Sequence, residues 1–230
     1  MAGTAIVTGG TGGLGTAVVE AFLEAGRRVV VPWVNERERE RLAPRDGLEL
    51  VQADLFDAAA VDGVVARATA DADAPLRAVV NLVGGFSEGG RVHETPVEEF
   101  EDQFRLNLRP TYLVTAAALP HLISAGGGAV VCVGTRAALR PFPGAAGYIA
   151  SKRAVLAFVE ALAVEYRNDA VRANAILPSV IDTPGNRAAN PDADFEKWVR
   201  PEEIARVIAF LCSEHSAVTS GAAIPVYGRA

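Results

Sequence analysis

The sequence predicts a single-domain α/β fold: a doubly wound parallel sheet of about seven strands, with helices on both faces. Seven short apolar runs follow one another along the chain, and amphipathic stretches of helical period separate them. A glycine-rich turn joins the first run to the first helical stretch. The runs lack polar alternation, which is typical of strands covered on both faces. Because β-α-β connections are right-handed crossovers, the strands should be parallel.

The predicted strands are the seven apolar runs, and each contains Val, Ile or Leu. In chain order they are TAIVT (4–8), RVVVPW (28–33), LELVQ (48–52), RAVVNLV (77–83), GAVVCVG (128–134), VRANAIL (171–177) and AAIPV (222–226). No linker, repeat or low-complexity segment interrupts this series in the sequence. We therefore expect one domain over residues 1–230.

Three of the predicted helices have a distinctive start, end or surface. The stretch 15–26 ends at Gly26, which suits the C′ position of a helix. Residues 200–214 begin with a proline followed by two acids, a typical helix start. Residues 149–166 carry apolar side chains on more than one face. That helix should therefore contact something besides the sheet, either neighbouring loops or a second copy of the chain.

A longer helical pattern spans residues 96–124 and contains an internal proline. Thr95 is its predicted N-cap, with Pro96 at the first helical position. Pro110 cannot donate to the carbonyl four residues before it, so it disturbs that turn. We expect the disturbed turn to leave the main-chain carbonyl of Asn107 able to hold a water. The alternative is a helix that begins only at Pro110.

Composition and charge exclude several classes of partner. Of the 230 residues, 50% are hydrophobic and 22% are charged, which is the composition of a globular protein. The net charge is −6 and the arginines are scattered, so no basic patch recommends nucleic acid or an anionic membrane. The sequence shows neither a secretory signal nor an apolar run of the roughly 18 residues needed for a membrane span. We expect a cytoplasmic protein that acts on small molecules.

The cysteines and histidines predict neither a disulfide nor a metal site. Cys132 and Cys212 stand in apolar contexts, which is typical of buried reduced thiols. His93, His121 and His215 are far apart and lack metal-ligand spacing. We expect these histidines at ordinary surface or capping positions.

The turn TGGTGGLG (8–15) directly follows the first predicted strand and opens the first helix. Its glycines follow a TG-x3-G-x-G spacing. Without Cβ atoms in the way, backbone N–H groups and a helix N-terminus can approach a pyrophosphate. The alternative is a purely structural turn. The expected dinucleotide contacts in this turn are Gly9, Thr11, Gly12, Gly13, Leu14 and Gly15.

Other predicted strands also end in residues suited to a ligand, at the edge where open parallel sheets bind. Asp54 and Leu55 follow the third strand, and the Asp54 carboxylate suits the adenine amino group. The alternative for Asp54 is a helix N-cap. Asn81 and Gly84 follow the fourth strand, where Gly84 permits backbone approach to a ribose. Residues 178–183 follow the sixth strand at the same edge.

Tyr148 and Lys152 form the most informative pair in the chain. Lysine and arginine together number 22, yet Lys152 and Lys197 are the only lysines. Residues four apart on a helix share a face. A free phenol has a pKa near ~10, and a neighbouring cation favours the phenolate and lowers that pKa. The three rotatable donors of an ammonium also suit ribose hydroxyls. The alternative is a solvated surface pair.

With the glycine turn and the Tyr148-x-x-x-Lys152 spacing, the sequence resembles the short-chain dehydrogenase/reductase family, in its compact single-domain Rossmann-like branch. The resemblance implies that Tyr148 is the general acid/base and that Lys152 binds the nicotinamide ribose and lowers the tyrosine's pKa. Thr135 stands thirteen residues before Tyr148, where the family has a serine that orients the substrate oxygen. Asn107 stands where a helix asparagine completes the family's proton relay.

The resemblance extends to the other strand ends, with departures. The family's Asn-Asn-Ala-Gly segment appears as residues 81–84 and keeps only the first and last residues. Its Pro-Gly segment appears as Pro178-Ser179, with Ile181 and Thr183 where the family contacts the carboxamide. Pro178, Ile181 and Thr183 therefore join Tyr148 and Lys152 among the expected cofactor contacts.

The sequence does not decide between the two nicotinamide cofactors. Trp33 ends the second strand, where an acid bonds the ribose hydroxyl of NAD and an arginine accepts the phosphate of NADP. Gly12 fills the loop position where NADP users often carry a basic residue. Glu36 and Arg37, slightly downstream, favour opposite choices. The predicted cofactor is therefore NAD(H) or NADP(H).

The substrate side is predicted only in outline. Residues 183–201 should form the substrate loop, with Phe195 and Trp198 as its apolar side chains. Phe86 and Phe142 are expected to border the same pocket. Such a wall accommodates many carbonyl compounds, so the sequence names no substrate.

The sequence thus predicts an NAD(P)-dependent oxidoreductase that transfers hydride between nicotinamide and a carbonyl or secondary alcohol of a small molecule. The alternative is a catalytically weak dinucleotide-binding regulatory or scaffold protein, because of the change at Thr135. A sugar-nucleotide epimerase is disfavoured by the short chain after Thr183. Family members pair the helix at 149–166 with its symmetry mate, so a homodimer or homotetramer is expected.

Overall fold

A computed structural model describes residues 3–229, which alternate between strands and helices. In chain order the elements are β1 (Thr4–Thr8), α1 (Gly15–Glu24), β2 (Arg28–Trp33), α2 (Glu36–Arg39), β3 (Leu48–Gln52), α3 (Ala58–Ala68), β4 (Leu76–Asn81), α4 (Val97–Ser124), β5 (Gly128–Val133), α5 (Ala146–Glu165), β6 (Val171–Pro178), α6 (Pro184–Ala189), α7 (Pro201–Leu211) and β7 (Ala223–Val226). The seven predicted strands are confirmed, each within two residues at either end.

The strands form one parallel sheet in the order β3-β2-β1-β4-β5-β6-β7. The order reverses between β1 and β4, because the chain first winds outward through β2 and β3 and then returns to the other side of β1. Loops diverge at such a switch point and leave a crevice at the carboxyl ends of the strands. The glycine-rich turn follows β1 and therefore lies at this crevice. The predicted doubly wound α/β fold is confirmed.

Two apolar layers cover the sheet, one on each face. Helices α3, α4 and α5 pack on one face, and α1 and α7 pack on the other. Successive residues of β1 point to opposite layers: Ile6 joins the first and Val7 joins the second, and both are fully buried. Because both faces are covered, the strands need no polar alternation, as their unbroken apolar runs predicted.

Helix α4 begins differently from the prediction. Pro96, not Thr95, occupies the N-cap position, and the helix starts at Val97. The Thr95 hydroxyl instead donates to the carbonyl oxygens of Gly90 and Arg91, at 3.3 and 3.0 Å. The Thr95 N-cap prediction was therefore wrong, because the hydroxyl turns back to the preceding turn.

The internal proline does not interrupt α4, which runs continuously from Val97 to Ser124 with Pro110 inside it. The alternative of a helix beginning at Pro110 is therefore wrong. The Asn107 main-chain oxygen was predicted to hold a water, but it accepts a bond from the Thr111 hydroxyl at 3.4 Å. This is the i→i−4 bond that a threonine hydroxyl commonly makes inside a helix.

Two further boundaries matter for the site. Strand β4 ends at Asn81 rather than at residue 83, because the N–H groups of Leu82 and Val83 donate to the Thr8 hydroxyl at 3.1 and 3.4 Å. Helix α5 begins three residues earlier than predicted, at Ala146. Tyr148 therefore lies in its first turn.

Other predictions can be checked at single positions. Gly26 follows the last turn of α1 with φ +73°, which confirms it at the C′ position. Cys132 and Cys212 are buried and unbonded to each other, and His121 and His215 are exposed. Within residues 3–229, no helix is long and apolar enough to cross a bilayer. The same residues contain no cluster of three or more His, Cys, Asp or Glu side chains arranged to hold a metal.

Candidate active site

Tyr148 and Lys152 lie on the first two turns of α5, beside the carboxyl end of β5. Lys152 is only 6% exposed, and its Nζ donates to the carbonyl oxygen of Val133, the last residue of β5, at 3.0 Å. The Tyr148 ring is partly buried and meets Phe86 edge-to-face, with 5.0 Å between ring centroids. The burial of Lys152 excludes a solvated surface pair.

Asn107 connects α4 to α5 beneath these two side chains. Its Oδ1 accepts from the N–H of Gly85 at 3.0 Å, and its Nδ2 donates to the Ser151 hydroxyl at 3.1 Å. Ser151 in turn donates to the main-chain oxygen of Tyr148 at 2.8 Å. Asn107 and Ser151 are both essentially inaccessible to solvent. The side chain of Asn107 therefore fixes the start of α5 against the loop after β4.

Sequence reasoning missed Ser151. Its position three residues after Tyr148 placed it on the correct side of the helix, and this was the available signal. Serine inside a helix commonly bonds to a nearby main-chain carbonyl, as it does here. The bond from Asn107 was not visible in the sequence, because it depends on how α4 crosses α5.

Gly84 lies against both Asn107 and Lys152. A Cβ on Gly84 would stand 2.6 Å from Asn107 Oδ1 and 2.9 Å from Lys152 Nζ. Both distances are well below a van der Waals contact. This residue was predicted to allow backbone approach to a ribose. The structure gives a further reason for glycine here, since the two polar side chains occupy the space that a Cβ would need.

Thr135 was predicted to orient the substrate oxygen, and in the structure its side chain caps a turn. It follows β5, and its Oγ1 accepts from the N–H of Ala137 at 3.3 Å, so it caps the short turn that follows. The same hydroxyl lies near enough to the Tyr148 phenol to favour the phenolate and lower its pKa. The Ala137 N–H occupies only an oxygen lone pair, so the single hydroxyl hydrogen is available to either the Tyr148 oxygen or a substrate oxygen.

Burial dominates the electrostatics of the pair. It raises the pKa of Tyr148 above its ordinary value, and the hydrogen bond with Thr135 opposes this only in part. Burial also lowers the pKa of Lys152 to about 8, while the neighbouring Cys132 acts in the opposite sense. The net shift of the Tyr148 pKa is therefore upward, whereas the resemblance implied a lowered pKa beside Lys152. The desolvation of the phenolate outweighs the favourable neighbours.

The glycine turn lies at the switch point and folds closely on itself. Gly9 has φ +65°, and its main-chain oxygen accepts a hydrogen bond from the N–H of Gly12 at 3.0 Å. A Cβ on Gly15 would stand only 2.0 Å from the Gly9 oxygen, so that position requires glycine. Helix α1 begins here without a side-chain cap. Its first N–H groups therefore retain the capacity to bind an anion.

Gly13 joins this turn to the other wall of the crevice. A Cβ on Gly13 would lie 2.8 Å from Cγ2 of Thr183, which follows β6. Thr183 also caps α6, because its Oγ1 accepts from the N–H of Asn186 at 3.2 Å. The crevice is therefore bounded by the turn after β1 on one side and by the start of α6 on the other.

Comparisons with known proteins identify the arrangement. A family model described as Enoyl-(Acyl carrier protein) reductase matches residues 9–228. The 2-(R)-hydroxypropyl-CoM dehydrogenase of Xanthobacter autotrophicus is 33% identical, over 99% of this chain and 98% of that protein. A solved structure described as a short chain dehydrogenase/reductase family protein is 31% identical with a TM-score of 0.88, over 98% of this chain and 96% of that one. The chain belongs to the short-chain dehydrogenase/reductase family.

Family membership settles the class of reaction. A 3-ketoacyl-(acyl-carrier-protein) reductase from Brucella melitensis, solved in complex with NADH, is 28% identical with a TM-score of 0.88, over 99% of this chain and 98% of that one. The protein is an NAD(P)-dependent oxidoreductase that transfers hydride at CH–OH or C=O groups. Its cofactor is NAD(H) or NADP(H). The predicted family, fold and reaction class are confirmed.

Trp33 and Asp54 were predicted to contact the adenosine half of the dinucleotide; Trp33 ends β2 and Asp54 follows β3, at the carboxyl edge of the sheet. Trp33 is partly buried at the end of β2, with the Arg39 guanidinium 5.7 Å from its ring. Asp54 is exposed, and its Oδ1 accepts from the N–H of Phe56 at 3.0 Å. Asp57, not Asp54, caps α3, so the N-cap alternative for Asp54 is wrong. Leu55 is buried, so only its backbone or the edge of its side chain is available to contact a dinucleotide.

Glu38 of α2 and Arg41, two residues after that helix, make contacts to the glycine turn that sequence reasoning did not predict. The Thr11 hydroxyl donates to Glu38 at 3.5 Å, and Arg41 donates to the Thr11 main-chain oxygen at 3.2 Å. An acid and a base therefore meet the turn together, where the predicted pair was Glu36 and Arg37. The available signal was the run of charged residues at 36–41, but the local fold decides which of them face the turn.

Asn81 points away from the crevice. Its side chain is 2% exposed, and its Nδ2 donates to the Thr115 hydroxyl on α4 at 3.0 Å. Contact with a dinucleotide would therefore come from the backbone here. Pro178 is buried at the end of β6, and Ile181 pairs with Val199 in an isolated bridge.

The predicted substrate wall divides into two parts. Phe86 lies between Tyr148 and Phe142, with ring centroids 5.0 and 6.2 Å apart respectively. Phe195 and Trp198 pack on each other at 4.8 Å and line a different cavity. A cavity of about 330 Å³ adjoins Tyr148 between the loop after β4 and the starts of α4 and α5. Phe86 and Phe142 are therefore the aromatic residues placed beside Tyr148.

Proposed function

We propose that Tyr148 exchanges the proton in this hydride-transfer reaction, with a small carbonyl compound or secondary alcohol as substrate. One observation carries the proposal: the Tyr148 phenol, the Thr135 hydroxyl and the Lys152 ammonium gather at the carboxyl ends of β4 and β5, beside the glycine turn. A proton donor, a second hydroxyl and a cation are the groups that a developing alkoxide requires.

The crevice suits a nicotinamide dinucleotide. The uncapped N-terminus of α1 and the tight turn from Gly9 to Gly15 suit its pyrophosphate. Lys152 uses one N–H on Val133, so two remain for ribose hydroxyls. When bound, the dinucleotide donates or accepts the hydride. The choice between NAD(H) and NADP(H) depends on the opposed charges of Glu38 and Arg41 beside Thr11.

The raised pKa of Tyr148 keeps its phenol protonated at neutral pH. In the reducing direction the substrate carbon receives hydride, and its oxygen receives the phenolic proton from Tyr148. The Thr135 hydroxyl donates to the same oxygen, while Ala137 holds the threonine in place. In the oxidising direction Tyr148 must first lose its proton, and burial opposes that step. At neutral pH the protonated phenol is thus ready to act as the acid in carbonyl reduction.

Asn107 acts as a positioning residue in this scheme. Both ends of its amide are engaged, by Gly85 and by Ser151, so it holds the helix turn that carries Tyr148. The family's proton relay through Asn107 stays a prediction.

Comparing Tyr148→Phe with the wild type tests the proposal. Oxidation of NADH and NADPH is measured against a panel of ketones, aldehydes and quinones. The variant keeps the ring, so dinucleotide affinity should be unchanged, while kcat falls about 10²–10⁴-fold. Tyr166→Phe, at the far end of α5, is the matched control and should keep wild-type turnover. A Tyr148→Phe enzyme as active as wild type would exclude Tyr148 as the acid/base.

The regulatory or scaffold alternative gives a different result in the same experiment. Such a protein would bind dinucleotide with no turnover on any compound in the panel. The buried network of Asn107, Ser151 and Lys152 favours the enzyme, because a scaffold has no need to place an ammonium with a pKa of about 8 beside a phenol.

The assembly, domain and location predictions belong to the same proposal. A groove of about 660 Å³ between the outer faces of α4 and α5 is lined by Phe104, Tyr112 and Phe158, which suits a homodimer or homotetramer. Light scattering should give a multiple of 24.1 kDa, and a monomer at micromolar concentration would contradict this. One sheet with two core layers supports a single domain. Two buried free thiols suit the reducing cytoplasm.

A further inference from the structure

A second cavity, of about 780 Å³, lies at the opposite edge of the sheet from the glycine turn. It opens at the amino ends of β5 and β6 and is bounded by the last turns of α5 and by the segment after α7. The active-site residues described above do not line it. The cavity is therefore separate from the hydride-transfer site.

The cavity is unusually rich in arginine. Its charged lining residues are Arg27, Arg77, Arg167, Arg172, Glu160 and Glu214. Among residues 3–229, no ion pair connects these arginines to either glutamate. The lining thus carries more positive than negative charge, in a protein whose net charge is −6.

The guanidinium groups of Arg172 and Arg27 differ in how completely they are hydrogen-bonded. Arg172 donates to the carbonyl oxygens of Leu211, Ser213 and Ser216, and so closes the end of α7. Its charge is matched by helix-end carbonyls. Arg27 is only 7% exposed, and its Nη2 donates to the main-chain oxygen of Cys212 at 2.6 Å. Its Nη1 is buried, with no acceptor among the described residues.

Arg77 repeats the pattern of Arg27. Its Nη1 donates to the Gly127 oxygen at 3.0 Å, whereas its Nε is buried and lacks an acceptor in the described part of the chain. Arg27 and Arg77 both line the cavity, and each guanidinium group keeps one N–H without an acceptor in the described part of the chain, although buried donors are normally paired. Arg27 and Arg172 also lie close enough to repel each other. An anion between them would relieve that repulsion.

We propose that this cavity binds a phosphate group, held by Arg27 and Arg77 with Arg167 at its mouth. Guanidinium groups bind phosphate through charge-assisted hydrogen bonds, and a tetrahedral oxyanion accepts donors that approach from several elements at once. The volume exceeds what a phosphate ion alone needs. The group could therefore belong to inorganic phosphate or to a small phosphorylated metabolite.

Calorimetric titration tests the proposal on the holoenzyme. The protein is first saturated with NADH or NADPH, so that the pyrophosphate site at the glycine turn is filled. Inorganic phosphate and ribose 5-phosphate are then titrated separately at constant ionic strength, with chloride as the reference. We expect one site per chain, and the ligand that binds more tightly identifies free or organic phosphate as the source.

Variants assign the binding to the cavity. Arg77→Gln and Arg167→Gln should each weaken binding about tenfold, because each removes a charged donor. Glu160→Gln removes an opposing charge and should strengthen binding. Arg206→Gln, an exposed arginine on α7 outside the cavity, is the control and should bind as wild type does. Binding no stronger than chloride, or unchanged affinity in both Arg77→Gln and Arg167→Gln, would overturn the proposal.

Discussion

Replacing Gly84 by alanine tests the geometry of the active site with a single methyl group. In the structure, the new Cβ would stand 2.6 Å from Asn107 Oδ1 and 2.9 Å from Lys152 Nζ. Ordinary contacts begin near 3.4 Å, so one or both side chains must move by several tenths of an ångström. Asn107 cannot retreat without weakening its bonds to Gly85 and Ser151, at 3.0 and 3.1 Å.

The magnitude follows from those bonds. Leaving a buried amide group unpaired costs about 1–3 kcal/mol, so the free energy of unfolding of Gly84→Ala should fall by about 2 kcal/mol. For a chain of this size, that lowers Tm by about 4–8 °C. Because Asn107 and Lys152 position the reacting groups, a displacement approaching ~1 Å should also lower kcat by up to about 10²-fold.

Gly63→Ala is the matched control for this experiment. Gly63 lies in α3, is exposed, and a Cβ there would meet nothing within 4 Å. Alanine in a helix interior is favoured over glycine by about 0.5–1 kcal/mol, so Tm should rise slightly and kcat should not change. Calorimetry and the NAD(P)H oxidation assay measure both variants. If Gly84→Ala keeps the wild-type Tm and kcat, the packing of Asn107 and Lys152 around Gly84 does not support the site.

Three further predictions concern neighbouring side chains. Thr135→Ser should remain active, whereas Thr135→Val, which loses the donor, should lose about 10²-fold in kcat; equal rates would make Thr135 a structural cap only. The kcat/KM for carbonyl reduction should fall as pH rises through about 8, where Lys152 loses its proton. If kcat/KM falls only well above pH 9, the fall does not come from Lys152. Gly13→Val should weaken dinucleotide affinity, because the valine side chain would meet Thr183 across the crevice. A variant that binds dinucleotide as tightly as wild type would contradict this prediction.

The fold was predictable because its signals are local. Each strand is a continuous apolar run, and the alternation of Ile6 and Val7 between two core layers explains why no polar residue interrupts it. The ends of the strands and helices were harder to predict, since they depend on hydrogen-bond partners distant in the sequence. Strand β4 stops at Asn81 because the Thr8 hydroxyl, 74 residues from Leu82, takes the next N–H groups. Pro110 was predicted to disturb its turn, but the helix runs through it without a break.

The site was predictable in its membership and less so in its electrostatics. Helical spacing selected Tyr148 and Lys152, the family resemblance added Thr135 and Asn107, and the structure gathers all four near one strand edge. The direction of the Tyr148 pKa shift depends on burial, which the sequence does not display. The inward orientation of Asn81 could have been inferred, because it shares strand parity with Val79, which faces the layer containing α4.

The preference for lysine at position 152 has a specific physical cause. Lys152 is 6% exposed, and its ammonium fits beside Gly84 with a single protein acceptor, Val133. A guanidinium has five donors in a rigid plane, so burial there would leave most of them unpaired. It also stays charged far above pH 8, whereas the buried ammonium does not. Lys197, by contrast, is exposed and pairs with Asp194 at 3.1 Å, a surface contact that arginine could make equally well. In a chain that otherwise uses arginine, the buried lysine is therefore the one whose chemistry the site requires.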